Sequence, residues 1–98
     1  MKRVIFRPEA RRDALEAYRW YEAQTPGLGG EFREELEATI TGICDAPTAF
    51  PVMLRDTRRA RLRRFPYGVF FREYGEAIVV VAVFHGRRDP KLVKRRAE

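Results

Sequence analysis

The stretch AIVVVAVFH, positions 77–85, restricts the fold of this chain more than any other. Seven consecutive apolar residues from Ala77 to Val83, with Phe84 beyond, leave no polar face for solvent. An extended segment of that kind needs cover on both faces, so it is expected to run centrally in a sheet. From Thr57 onward the apolar period is 2, and three strands read off in succession: RRARLRRF (58–65), VFFREY (69–74) and AIVVVAVFH. Pro66-Tyr67-Gly68 links the first two, and Gly75-Glu76 makes a tight turn before the third, which gives a β-meander. In the first strand Ala60 and Leu62 point one way, and Arg59, Arg61 and Arg63 the other; Arg58 and Arg64 fall with Ala60 and Leu62.

What precedes Thr57 reads as helix. Arg3-Val4-Ile5-Phe6-Arg7 is a short strand that ends at Pro8, and Pro8 with Glu9 behind it suits a helix start, although Arg7 is a poor N-cap. From Pro8 to Gln24 the positions Ala10, Ala14, Ala17, Tyr18 and Tyr21 form an apolar stripe that Leu15 and Trp20 widen, so Trp20 and Tyr21 are expected in the core. Thr25-Pro26-Gly27-Leu28-Gly29-Gly30 turns the chain. Phe32, Leu36, Ile40 and Ile43 then line one face of a second helix, whose first turns carry Glu31, Glu34, Glu35 and Glu37 and which closes at Pro47. Phe50-Pro51-Val52 begins an irregular connection. The expected fold is α+β: strand, helix, helix and a three-stranded meander, with the helical hairpin packed on a mainly antiparallel sheet. Ninety-eight residues suit a single domain. The segment from about residue 90 is a basic tail, for which the residues leave open a short helix or disorder.

Charge divides the chain. Residues 1–57 hold 8 Lys/Arg against 10 Asp/Glu, whereas residues 58–98 hold 12 against 4. A basic half of this kind is the footprint of an anionic partner, either nucleic acid or an acidic polypeptide. With one cysteine, Cys44, and one histidine, His85, no thiolate cluster or zinc site is expected, and Cys44 reads as a small buried residue. No apolar run is long enough for a membrane span or a signal peptide, so the expected location is cytoplasmic, without membrane contact.

Three segments together resemble the toxins of the RelE/ParE superfamily from bacterial type II toxin–antitoxin modules. They are FRPEARRDALEAYRWYEAQTPGLGGEF for the hairpin, RRARLRRFPYGVFFRE for the meander's first half, and VVVAVFHGRRDP for the last strand and its turn. The resemblance covers essentially the whole chain and lies closer to the ParE-like branch. It implies a small protein that arrests growth when free and needs no cofactor. It also implies neutralisation by a cognate antitoxin, with operator DNA reached only through the antitoxin complex. Two targets follow from the two branches: DNA gyrase, which ParE-like members poison, or messenger RNA on the ribosome, which RelE-like members cut. A member that has lost toxicity and persists as an antitoxin-bound component is a third reading.

Metal-free RNA cleavage employs the neighbouring 2′-hydroxyl as nucleophile, so it requires a base, an acid and cations for the charged intermediate. On the nuclease reading Arg61 and Arg88 supply charge and His85 moves protons, imidazole being suited to both directions near neutrality. The nuclease pattern is incomplete, however. Where RelE-like members carry an arginine after the tyrosine that opens the second meander strand, this chain has Gly68 after Tyr67, and near Lys94 it has no tyrosine. The favoured expectation is therefore a gyrase inhibitor whose Arg59, Arg61, Arg63, Arg87 and Arg88 receive an acidic antitoxin segment. Asp89-Pro90 reads as a turn, with the carboxylate free to pair with an arginine.

Overall fold

A computed structural model describes residues 2–98. In chain order it contains β1 (Arg3–Phe6), α1 (Pro8–Gln24), α2 (Leu28–Asp45), a 3-10 turn at Pro47–Ala49, β2 (Val52–Leu54), β3 (Thr57–Arg61), β4 (Tyr67–Tyr74), β5 (Ala77–His85) and α3 (Pro90–Ala97). The five strands form one sheet in the order β1-β5-β4-β3-β2. Only β1 and β5 run parallel, Ile5 lying opposite Val79, and the other neighbours are antiparallel.

The apolar run of β5 is thus interior, paired on both sides. One sheet face is covered by the α1–α2 hairpin and the other, at β5, by α3. On the hairpin side Ala10, Ala17, Phe32, Leu36 and Ile43 pack with Ala60, Val69, Phe71, Ile78, Val80 and Val83. Each large side chain buried there contributes about 1.5–3 kcal/mol. On the other side Phe70, Val81, Ala82 and Phe84 meet Leu92 and Val93 of α3.

Strict alternation along β5 would place Ala82 with Ile78 and Val80. The β4–β5 register instead sets Phe70 opposite Ala82 and Phe71 opposite Val80, so Val81 is an extra residue, a β-bulge that shifts the parity of everything after it. Val83 returns to the hairpin face, and Phe84 joins the α3 face.

The helices form where the 3.6-residue stripe predicts them, with two revisions. Leu15 and Trp20 do not widen a buried stripe: they are 43% and 58% exposed, and Tyr21 alone turns into the aromatic cluster with Phe32, Phe65 and Tyr67. The second helix also starts earlier, taking in Gly29 and Gly30, because the Glu22 carboxylate accepts the amides of Gly27 (2.9 Å) and Gly29 (3.0 Å) at its open N-terminus. Gly29 lies so close to α1 that a Cβ there would stand 2.7 Å from the Tyr18 carbonyl oxygen.

The second half is also revised in detail. The connection after Phe50 contains β2, which forms a hairpin with β3 through Arg55 and Asp56, Arg55 having φ 54°. The basic strand does not extend to Phe65 but ends at Arg61, and the link lies at 62–66 while Tyr67 and Gly68 already belong to β4. Pro66 cannot donate a ladder bond, and the amides of Arg63 and Arg64 are taken by the Glu35 carboxylate of α2. The tail is a helix. Asp89 forms no arginine pair; it caps α3, accepting from Lys91 N at 2.9 Å.

Candidate functional site

Cross-strand register builds the site. Arg59 lies opposite Phe70, Arg61 opposite Gly68, and Gly68 opposite Phe84, so these residues share the face that turns away from the helical hairpin. Met53 and Leu54 of β2 close one side, and Pro90, Lys91, Val93 and Lys94 of α3 close the other, around a groove of about 920 Å³. Seven basic residues border it: Arg59, Arg61, Arg63, Arg64, Arg88, Lys91 and Lys94. Among the described residues no aspartate or glutamate does.

The arginines are not equivalent. The stem of Arg59 lies over Gly68, where an added Cβ would be 3.1 Å from its Cγ and Cδ, and its buried Nε has no hydrogen-bond partner. Burial and the neighbouring Arg61 hold the Arg59 guanidinium below its ordinary pKa. The Arg88 guanidinium stacks 4.8 Å from the centre of the Phe84 ring. Arg63, which strand alternation assigned to the face of Arg59 and Arg61, lies beyond the strand end and borders the groove from the loop. Arg64 turns back to Glu31 at 2.5 Å, and Arg58 donates to the Phe50 carbonyl at 2.6 Å. Arg87 is exposed and lies outside the groove lining.

His85 stands at the groove's end with its ring 5.3 Å, edge to face, from Tyr67. Its Nδ1 accepts the Arg87 backbone N–H at 3.0 Å, so the neutral ring carries its proton on Nε2. The Tyr67 phenol is pushed up by burial, which outweighs the opposing effect of Arg88.

Two carboxylates shape this site without bordering it, and neither was singled out from sequence. Glu35 pins the loop between β3 and β4: Oε2 accepts from Arg63 N and, at 2.9 Å, from Arg64 N. The loop is further tied by Leu62 N to Tyr67 O (2.9 Å) and Gly86 N to Pro66 O (2.8 Å). Asp13, buried in α1, accepts the Val83 amide beside the bulge (3.0 Å) and the forked guanidinium of Arg96 from α3. For Asp13 a signal existed, because a carboxylate between Ala10 and Ala17 interrupts the apolar stripe. Glu35 carried none, being one of several glutamates on α2. Among the described residues no group of three or more His, Cys, Asp or Glu side chains could hold a metal ion, and no helix is long and apolar enough to cross a membrane.

Three helices on a five-stranded mixed sheet are the fold of small bacterial toxins from toxin–antitoxin systems. The structure of a chromosomal ParDE system from P. aeruginosa matches 87% of this chain and 96% of its own, with TM-score 0.76 and 17% identity. The intact E. coli RelBE toxin–antitoxin complex matches 90% of this chain and all of its own (TM-score 0.65, 20% identity), and isolated E. coli RelE gives 97%, 98%, 0.63 and 21% respectively. Sequence narrows the class. Residues 4–90 match the family model of the ParE toxin of the type II toxin–antitoxin system parDE. Toxin ParE2 of Mycobacterium tuberculosis, in strains CDC 1551 / Oshkosh and H37Rv, is 32% identical over 83 residues, covering 84% of this chain and 79% of the relative. The chain belongs to the ParE toxin family of type II toxin–antitoxin systems.

Proposed function

We propose that this toxin arrests growth by inhibiting DNA gyrase and is neutralised when an acidic segment of its cognate antitoxin fills the groove. The observation that carries this reading is a groove bordered by seven basic side chains and no carboxylate, whose one histidine has no free lone pair. Cleavage through a 2′-hydroxyl needs a base at the nucleophile. In the neutral His85 ring the Nδ1 lone pair is occupied by Arg87 N–H and Nε2 bears the proton, so the ring presents a donor; the half-buried Tyr67 phenol keeps its proton more firmly than an ordinary tyrosine. Asp13 is committed to Arg96 and the Val83 amide. Cations without a base favour binding over cleavage. Exposed Met53 and half-buried Leu54 and Val93 on the groove walls, beside guanidinium groups, suit an amphipathic acidic peptide held by charge-assisted and partly bidentate bonds.

The family resemblance supplies gyrase as the target, and the incomplete acid/base set supports that branch over the ribosomal one. Purified toxin incubated with gyrase and supercoiled plasmid, alongside a translating-ribosome reaction, tests the proposal. Gyrase-dependent linear DNA with intact mRNA is expected. Site-specific cuts in mRNA would overturn it in favour of a nuclease centred on Arg61, His85 and Arg88, and silence in both would point to a member without toxicity.

A further inference from the structure

The sheet has two edges, and they differ. β2 is three residues long, its pairing with β3 slips between Val52 and Leu54, and it is bounded by Pro51, which has no N–H, and by Arg55 at φ 54°. An edge so interrupted offers no regular template. β1, at the opposite edge, pairs in unbroken parallel register with β5 from Arg3 to Phe6. Arg3 N donates to Glu76 O (2.9 Å) and Arg7 N to Val80 O (3.0 Å), so the odd-numbered residues turn their backbone to β5. In a parallel ladder the N–H and C=O of one residue point to the same side. Val4 and Phe6 therefore direct theirs outward, where no strand of the chain lies. We propose that this edge binds an extended acidic segment of a protein partner, added antiparallel to β1. The proposal is independent of the groove on the far side of the sheet.

Side chains select the partner. Ile5, opposite Val79 on the face that α3 packs on, is 46% exposed, and Arg3 beside it is exposed too. On the hairpin face the Arg11 guanidinium lies 5.8 Å from the centre of the Phe6 ring. Lys2 is taken by Glu73 at 3.6 Å, but among the described residues neither Arg3 nor Arg11 has a carboxylate partner. A basic side chain thus borders the edge on each face. The occupant is not a second copy, because antiparallel pairing of two β1 strands about Ile5 would set Arg3 of each against Arg7 of the other. Like charges directly opposed disfavour pairing and are a common guard on edge strands. A segment Glu-x-Val-x-Glu fits instead. Its valine meets Ile5 and one glutamate meets Arg3, while main-chain bonds to Val4 and Phe6 supply affinity.

The test is hydrogen exchange of the full chain with the capped peptide Thr-Glu-Thr-Val-Thr-Glu-Thr at low salt, read at single amides by NMR. Without peptide the amides of Val4 and Phe6 should exchange fast and that of Ile5, held by β5, slowly. With the peptide at about ten times its Kd, Val4 and Phe6 should slow about tenfold. Arg3→Glu, a change at an exposed position, should raise the Kd about tenfold, and a peptide with lysine in place of glutamate should not bind. If the peptide binds while those two amides exchange as before, it sits elsewhere and the proposal is overturned, with the groove reading untouched. Absence of binding, or equal affinity for Arg3→Glu, overturns it as well. If the two amides become protected on raising the protein concentration alone, a second copy takes the edge and the acidic occupant is wrong.

Discussion

Asp13 in α1 and Arg96 in α3 are 83 positions apart and meet as a two-pronged ion pair, Nη1 to Oδ2 at 2.8 Å and Nη2 to Oδ1 at 3.1 Å. Arg96 also donates to the Val81 carbonyl at 3.1 Å, and Asp13 accepts from Val83 N. The carbonyl of the bulge residue Val81 and the amide of Val83, which flank Ala82, are therefore satisfied by the pair that holds α3 to the sheet. Its far end is held by Arg7, which donates to the Arg96 carbonyl (3.0 Å), and Arg72, which donates to that of Ala97 (2.7 Å).

Removing one partner strands a charge against the core. With the Arg96 side chain 24% exposed, Asp13→Ala should cost about 2–3 kcal/mol, below the full range for a buried pair. Urea denaturation of the two single variants and the double variant reads the coupling directly. A loss under about 0.5 kcal/mol in each single variant, the usual scale of a surface change, would mean that the pair does not hold the helix.

Glu35 holds the arginine loop by its backbone. Glu35→Ala should destabilise the protein by about 1–2 kcal/mol and speed hydrogen exchange at the amides of Arg63 and Arg64, while amides within β5 keep their protection. Unchanged exchange at those two amides would contradict the pinning role.

Neighbouring glycines on α2 should respond with opposite signs. Gly29→Ala places a methyl group 2.7 Å from the Tyr18 carbonyl oxygen, backbone that cannot swing aside, and should cost about 1–3 kcal/mol. Gly30→Ala meets nothing within 4 Å and should stabilise the helix by about 0.5–1 kcal/mol. Thermal melts of the two variants check the pair.

Trp20 is the single tryptophan and is 58% exposed. Its fluorescence should resemble that of a solvated indole and be readily quenched by acrylamide, and Trp20→Ser should change stability by less than about 0.5 kcal/mol. Blue-shifted, shielded emission would return it to the core.

Long apolar patterns were legible from sequence and short or cooperative features were not. The run Ala77–Val83 could only be an interior strand, and the stripe of Phe32, Leu36 and Ile43 could only face a core. Three-residue β2 is too brief to show a period, and the end of β3 at Arg61 is set partly by Glu35, from another element. Trp20 looked internal because an aromatic residue near a stripe usually is; here the hairpin's aromatic cluster is filled by Tyr21. At the groove, sequence named Arg59, Arg61, Arg63, Arg88 and His85, all of which border it, and Arg87, which does not. Gly68 was legible only as a missing arginine. That it makes room for the stem of Arg59 depends on the register of β3 against β4, which no local pattern encodes.

The most direct measurement is the affinity of toxin for its cognate antitoxin at low and high salt, compared with the variant carrying Arg59→Ala, Arg61→Ala and Arg63→Ala together. If the groove receives an acidic segment, the variant should bind more weakly and lose much of its salt sensitivity, since removed charges no longer contribute a screened attraction. Equal affinity of the two proteins at both salt concentrations would contradict that role for the groove.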